Sequence, residues 1–396
     1  MRENYKALGE YIRLVDERNR DLSVTKLLGV SINKQFIPSI ANIVGTDLSS
    51  YKIVRTGQFA YGPVTSRNGE KISIALLGES DCIISSSYTV FEVIYKDTLD
   101  PEYLMLWFSR PEFDRYSRYM SHGSVREIFD WDEMCKVELP VPSIEKQREI
   151  VKAYKTISDR IELKRRINDN LAATADTLFQ KFFTQNEDCA SWNKATFSDF
   201  ITSTTGGDWG QEAPSGNYTE QVSCIRGTDI PQLNLGSIAD APTRYILPKN
   251  FSTKRVKADN LVVEISGGSP VQATGRIALV PEQVLKYRGD KIICSNFCRV
   301  VEVNPDYLYF FLQYWLYLYR NGRMFDYENS STGLKNFDFT SFVEKEPIVM
   351  PPIEIARRFN ELAEPIYAEI FNAGFEIQHL IETKDHVLPR LMTKGY

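Results

Sequence analysis

A chain of 396 residues with 47 Lys and Arg against 52 Asp and Glu has a formal net charge of −5, which excludes indiscriminate attraction to polyanions and leaves nucleic-acid contact only to a local basic face. At 43% hydrophobic and 25% charged residues, wholesale disorder is excluded as well. The length suits two or three domains, each able to bury its own core.

The opening segment, MRENYKALGEYIRLVDERNR, carries charges throughout and has no apolar centre, so no secretory signal is expected and the cytoplasm is the expected location. Residues 1–140 alternate β-branched and aromatic runs with polar turns. Lys52–Val54, Gln58–Tyr61, Ile72–Leu76 and Tyr88–Val93 are strand candidates, and Pro101 opens a helix from an early position. The candidate DNA-contacting residues of this head are Asn33, Lys34, Arg67, Asn68 and Arg126, the last within Ser121–Arg126.

Residues 141–186 form one long helix, entered after Pro140 and Pro142, with Glu145 in its first turn where the helix dipole favours an acid. Its apolar positions follow spacings of four and three: Ile150, Tyr154, Ile157, Ile161, Lys164, Asn168, Leu171, Ala175, Leu178 and Phe182. That pattern keeps one seam turned toward a partner helix, and Lys164 and Asn168 are polar members of the kind that set register. Such a helix of about 38 residues spans about 57 Å, the rise of about 17 base pairs.

Residues 187–350 read as a second head, with strands at Asn260–Ile265, Arg276–Val280 and Cys298–Val303 and a helix opened by Pro305. The apolar run Tyr307–Tyr319 is too short to cross a bilayer and is interrupted by Gln313, so no membrane association is expected. Here the loops supply Arg226, Gln272, Thr274, Arg276, Lys335 and Asn336. Residues 351–396 form the second long helix, led by Pro351 and Pro352 with Glu354 in the first turn. Its seam is Phe359, Ala363, Ile366, Ile370, Ala373, Ile377, Leu380, Lys384, Val387 and Leu391. Pro365 is expected to kink or divide it.

The chain repeats itself. Val137–Phe183 recurs as Glu346–Leu391, with Pro142 falling on Pro351, Ile144 on Ile353, Glu145 on Glu354 and Arg148 on Arg357. Phe129-Asp130-Trp131 answers Phe337-Asp338-Phe339, Asp100-Pro101-Glu102-Tyr103-Leu104 answers Asn304-Pro305-Asp306-Tyr307-Leu308, and Leu8 to Ile12 answers Phe197 to Ile201. One departure is Ala356 where the first copy has Gln147, so a contact of that glutamine is expected to be lost in the second. The fold class is α+β: two globular mixed heads separated by two long helices that pair as an antiparallel coiled coil, in an internal pseudo-two-fold repeat.

Chemistry is sparse. There is no GxxxxGK[ST] phosphate loop and no Asn-Pro-Pro-aromatic signature of amino-methylating enzymes. The Gly206–Gly210 turn follows no clear strand, which disfavours a cofactor loop. The cysteines Cys82, Cys135, Cys189, Cys224, Cys294 and Cys298 suit reduced thiols, and Cys294 with Cys298 lacks the further ligands of a zinc site. No metal site and no catalytic residue are expected. In the loops, Arg and Lys can donate twice to guanine, Asn and Gln can pair with adenine, and Gly admits backbone to a phosphate. Any one loop taken alone reads better as a solvated turn than as a DNA contact; it is the parallel placement in both heads that favours DNA contact.

The order of head, LPxP-led long helix, head, and PP-led helix ending in VLPRL resembles the specificity subunits of type I restriction and modification systems over essentially the whole chain. Leu139-Pro140-Val141-Pro142 with Gln147-Arg148, Leu178 to Phe183, Ile225 to Ile230 and Val387 to Leu391 carry the likeness. The resemblance implies a non-catalytic subunit whose heads are target recognition domains, each reading half of a split double-stranded DNA site, while the helices set the gap. It implies two modification subunits as partners, bringing S-adenosylmethionine chemistry on adenine, and restriction subunits that use ATP and Mg. No cofactor is expected in this chain. The competing reading is a scaffold with two protein-binding heads and a coiled-coil interaction module.

Overall fold

The computed structural model describes residues 5–39, 45–66, 68–123, 126–238, 240–269, 271–331 and 334–393. The chain divides into two compact units, Met1–Asp159 with Glu382–Tyr396, and Arg160–Ile381. The division cuts both long helices, Ile144–Phe183 and Ile353–Thr393, part-way along.

The sequence repeat is a topological one. In the first unit a four-stranded antiparallel sheet has the order Ile12–Val15, Thr89–Val93, Phe59–Tyr61, Ile74–Leu76. In the second unit Ile201–Gly206, Cys298–Val303, Asn260–Glu264 and Ile277–Val280 follow each other in the same order, also antiparallel. Asn260–Glu264, an inner strand of that sheet, and Ile277–Val280, at its edge, are buried at every residue, which is why Leu261–Val263 and Ile277–Val280 read as unbroken apolar runs rather than alternating ones. Around the sheets the copies differ. Lys52–Val54 pairs antiparallel with Cys82–Ile84 in the first unit, whereas Glu220–Ile225 pairs parallel with Ile292–Cys294 in the second.

The repeated tripeptides turn out to be helix caps. The Asp130 carboxylate accepts from Glu133 N at 2.9 Å and starts Trp131–Cys135; Asp338 accepts from Ser341 N at 3.0 Å and starts Phe339–Lys345. Asp100 and Asn304 cap the two proline-led helical segments in the same way, accepting from Glu102 N at 2.8 Å and Asp306 N at 3.0 Å. The run at Tyr307–Tyr319 is a core helix, Leu308–Arg320, whose Phe310, Phe311, Leu312 and Trp315 are buried. Among the described residues no helix is long and apolar enough to cross a membrane.

Within the second unit the long helices run antiparallel: Arg160 and Lys164 reach Glu376, Asn168 Nδ2 donates to Ile370 O at 3.2 Å, and the Phe182 ring meets Phe359 at 5.7 Å. Within the first, Ile150 shares a core with Leu388 and Met392, and Lys384 Nζ lies 4.9 Å from the Tyr154 ring centre. Ile150, Ile161 and Ile370 of the seam are buried; Ile157, Leu171, Leu178, Phe182, Ile366, Ile377, Leu380, Val387 and Leu391 are half-buried. Near the helix ends the deepest residues lie one position on, Phe179 and Phe183 in one helix and Leu388 and Met392 in the other. A straight helix drifts about 20° per heptad against a strict repeat, and at its ends each helix also packs on a globular core.

Two expectations need correction. Helix Ile353–Thr393 is not divided at Pro365. The proline is exposed and removes a single backbone donor, while its neighbours Ala363 and Tyr367 are buried on the packed face and hold the turn in place. The contact expected to vanish at Ala356 is displaced by one turn rather than simply lost. Gln147, fully buried, accepts from Asp100 N at 2.9 Å and donates to Thr98 O and Pro142 O at 2.8 Å each. In the second copy Asn360 Nδ2 donates to Pro305 O at 2.9 Å and Asp306 O at 3.1 Å, and Arg357 pairs with Asp306 at 2.9 Å.

Candidate nucleic-acid interface

In each unit the loop joining the central sheet hairpin folds against the segment that precedes the Asp-capped short helix. In the first unit Phe129 N donates to Pro63 O and Thr65 N to Glu127 O, both at 2.9 Å, and Thr65 Oγ1 donates to Ser121 Oγ at 2.9 Å. An ion pair between Arg118 and Glu127 closes the same junction. Asn68 and Arg126 therefore meet in one cleft of about 280 Å³, with Ile32, Gly62 and Tyr88 in its walls. Arg126 is exposed, and Asn68 Nδ2 is turned back to Val64 O at 3.3 Å. Arg67 lies outside the described residues.

Asn33 and Lys34 sit at the turn between strands Leu28–Val30 and Phe36–Pro38. Asn33 is exposed. Lys34 has φ 64° and points inward: its Nζ donates to Asp114 Oδ1 at 2.5 Å and Ile72 O at 3.0 Å. Burial pulls its pKa below the ordinary lysine value although Asp114 acts the other way. The structure gives Lys34 an anchoring role, holding the turn to the helix Pro111–Tyr119.

In the second unit the equivalent loop, Ile265–Arg276, pairs with a ribbon made of Glu328–Ser331 and Leu334–Phe337. Ser266 lies opposite Asn336 and Gly267 opposite Lys335, and Ser266 Oγ donates to Asn336 Oδ1 at 2.6 Å. Beneath them Glu328 gathers Thr274 N at 2.6 Å, Thr274 Oγ1 at 2.9 Å and Lys335 Nζ at 2.8 Å. Burial pushes the Glu328 carboxyl up, yet the Lys335 and Thr274 donors outweigh it and its pKa is lowered. Thr274 is fully buried and Lys335 half-buried, so both brace the ribbon, while Gln272 stands exposed beside Val271, which is 91% exposed.

A cleft of about 650 Å³ brings Arg226, Gln272 and Arg276 together with Trp209, Asn296 and Phe297. Arg276 is locked side-on to Glu264, Nε to Oε2 at 2.8 Å and Nη2 to Oε1 at 2.5 Å. Arg226 is held in the same way by Asp229, Nε to Oδ2 at 3.0 Å and Nη2 to Oδ1 at 2.7 Å. These hydrogen bonds raise both guanidinium pKa values, so both stay charged. The carboxylate of Glu264 needs glycine around it: a Cβ at Gly227 or at Gly267 would come within 2.4 Å of its Oε1.

Sequence reading missed Glu264, Trp209, Asn296 and Phe297. Trp209 lies in the Gly206–Gly210 turn that was weighed only as a cofactor loop, and Arg244 stacks 4.0 Å above its ring. Phe297, 54% exposed, was visible as a lone aromatic in the turn after the strand Ile292–Cys294. Among the described residues no group of three His, Cys, Asp or Glu side chains is placed to hold a metal, and the six cysteines are free.

Residues 36–173 match the family model described as the type I restriction modification DNA specificity domain. Over 315 residues, 76% of this chain and 70% of the relative, the chain is 22% identical to the type I restriction enzyme MjaIX specificity subunit of Methanocaldococcus jannaschii. It is 25% identical over 162 residues, 39% of this chain and 34% of the relative, to the type I restriction enzyme HindI specificity subunit of Haemophilus influenzae. The fold is similar, with a TM-score of 0.59 at 13% identity over 100% of this chain and 98% of the other, to a type-I restriction-modification S subunit from M. genitalium. The family-model match runs from the first head into the first long helix and leaves the second head outside it.

Proposed function

We propose that this chain is the DNA-recognition subunit of a type I restriction-modification complex, without catalytic activity of its own, in which each head reads one half of a split duplex site. The observation that carries this reading is the loop pair set at the same edge of the same sheet in both units, built on matching caps but from different residues. In the first head Asn33, Asn68 and Arg126 face the duplex; in the second Gln272, Asn336, Arg226 and Arg276 do so. Phosphate contacts from Lys and Arg place each head and base-edge contacts specify. The paired helices set the gap between half-sites and dock two methyltransferase subunits. S-adenosylmethionine belongs to those subunits, and ATP and Mg to a restriction subunit.

The test is co-expression with the methyltransferase and mapping of methylated adenines across a host genome. A bipartite motif whose halves change independently when the loops of one head are exchanged supports the reading. Removing one heptad from both helices shortens each by about 10.5 Å, roughly three base pairs, and the gap should contract accordingly. A motif that ignores both changes, or a chain that binds protein partners but leaves methylation without sequence preference, overturns it in favour of a scaffold.

A further inference from the structure

Arg276 and Glu264 face each other across a hairpin, where Glu264 N donates to Arg276 O at 2.8 Å. The carboxylate takes the Nε and Nη2 side of the guanidinium and is itself almost wholly buried, 2% exposed against 12% for Arg276. The backbone just before is pinned as well: Gly275 has φ 84° and its carbonyl accepts from the buried Trp315 Nε1 at 2.7 Å. Glu264 thus takes the Nε and Nη2 side of Arg276, which leaves the end-on Nη1 and Nη2 edge on the other side of the guanidinium, in a residue that lines the cleft. Arg226, in the wall of the same cleft, differs in one bond. Its Nη2 also donates to Asp240 O at 3.0 Å, which occupies the proton an end-on fork would need.

Resting on the reading above, we propose that the second head's half-site contains a guanine recognised by Arg276, with Glu264 as the positioning residue. An end-on guanidinium offers two parallel donors. Of the base edges in the major groove only guanine presents two adjacent acceptors, N7 and O6; adenine puts its N6 donor where the second acceptor must be. Ser73 stands before Ile74 where Arg276 stands before Ile277, so the first head has no counterpart and the effect is confined to one half-site. Arg226, with its end-on edge occupied, contributes charge without choosing a base.

The experiment is selection from a randomised duplex pool by the chain assembled with its methyltransferase subunit. Wild type should fix a guanine in the half-site that responds to second-head changes. Arg276→Lys keeps the charge beside Glu264 but lacks the planar fork, and should lower discrimination at that guanine roughly tenfold to a hundredfold while other positions hold. Glu264→Gln should relax the same position, and Arg226→Lys should relax none. As a measurement that leaves the protein intact, 7-deazaguanine at that position should weaken wild-type binding more than it weakens Arg276→Lys binding. Uniform weakening of all sequences by Arg276→Lys, the mark of a phosphate contact, overturns the inference, as does a selected half-site without guanine. A pool with no enriched sequence overturns the parent reading instead.

Discussion

Gln147→Ala should free the start of the first long helix from its own unit, and by more than any single change at the matching place in the second. Gln147 is fully buried and makes three hydrogen bonds at 2.8–2.9 Å, to Asp100 N, Thr98 O and Pro142 O. At about 1 kcal/mol net each, their loss sums to about 3 kcal/mol, and any partner left without water adds to that. In the second copy Asn360 loses two bonds on truncation, of 2.9 and 3.1 Å, but its Oδ1 already lacks a partner, so removing the side chain also removes a desolvation cost. There the expected loss is about 1 kcal/mol.

Two compact units do not melt as one, so the assay must be local. Hydrogen exchange read by mass spectrometry on peptides covering Thr98–Tyr103 and Ser143–Val151 reports the first unit. A loss of about 3 kcal/mol lowers protection there by about a hundredfold and moves that unit's melting by roughly 6–12 °C. Asn360→Ala should shift the corresponding second-unit peptides by less than tenfold. If Gln147→Ala changes protection no more than Asn360→Ala does, the three-bond account of the helix start is wrong.

Glu376 is drawn below its ordinary pKa of 4.5 first by the hydrogen bond from Lys164 and then by Arg160. A folded-state pKa below the unfolded one means the pairing stabilises fully above about 4.5 and fades as pH falls through the lowered value. The urea midpoint of wild type minus that of Glu376→Gln should therefore shrink on acidification; a difference that grows refutes the sign. Burial pushes the thiols of Cys82, Cys224 and Cys298 up to about 12 and that of Cys294 well above the usual value, so iodoacetamide should label Cys135 and Cys189 first. Peptide mapping that finds any of the buried four ahead of both would contradict the burial. Asn168 Oδ1 has no partner and its two Nδ2 bonds are each 3.2 Å, so Asn168→Leu should cost less than about 1 kcal/mol in urea unfolding. A loss above about 2 kcal/mol would mean that the bonds to Leu235 and Ile370 hold the helices together.

Burial alone does not make a strand legible: the fully buried Cys82–Ile84 and Ile292–Cys294 are three residues each and were not foreseen, while longer or strongly β-branched runs were located closely. Lys52–Val54 and Cys298–Val303 have the bounds their β-branched runs suggest. Gln58 was read as strand but uses its side chain to accept from Arg55 N at 2.8 Å and to donate to Glu92 Oε2 at 2.9 Å, just ahead of Phe59. Ile12–Val15 and Ile201–Gly206 were not foreseen, and both are edge strands with most residues at least partly exposed. An edge strand needs only one neighbour and one apolar face at most, so a stretch such as ITSTTG leaves little period to detect. The repeat compensates in part: what the second copy hides, the matched caps at Asp130 and Asp338 reveal.

The candidate contacts were legible as residue types but not as free donors. Lys34, Lys335, Arg226 and Arg276 look alike in a loop sequence, and each is clamped by a carboxylate that only the fold brings near. Glu264 lies in a strand and was read as part of its pattern; hairpin register, not proximity in sequence, sets it opposite Arg276. The consequence reaches specificity. A guanidinium has one set of donors whatever its setting, but the carboxylate decides which edge stays available, and an end-on edge and a side-on edge approach a base pair from different directions. On the proposed reading, two heads can therefore share sheet order and caps and still select different bases, since Ser73 in place of a clamped arginine alters the donors offered without disturbing the strands that carry them.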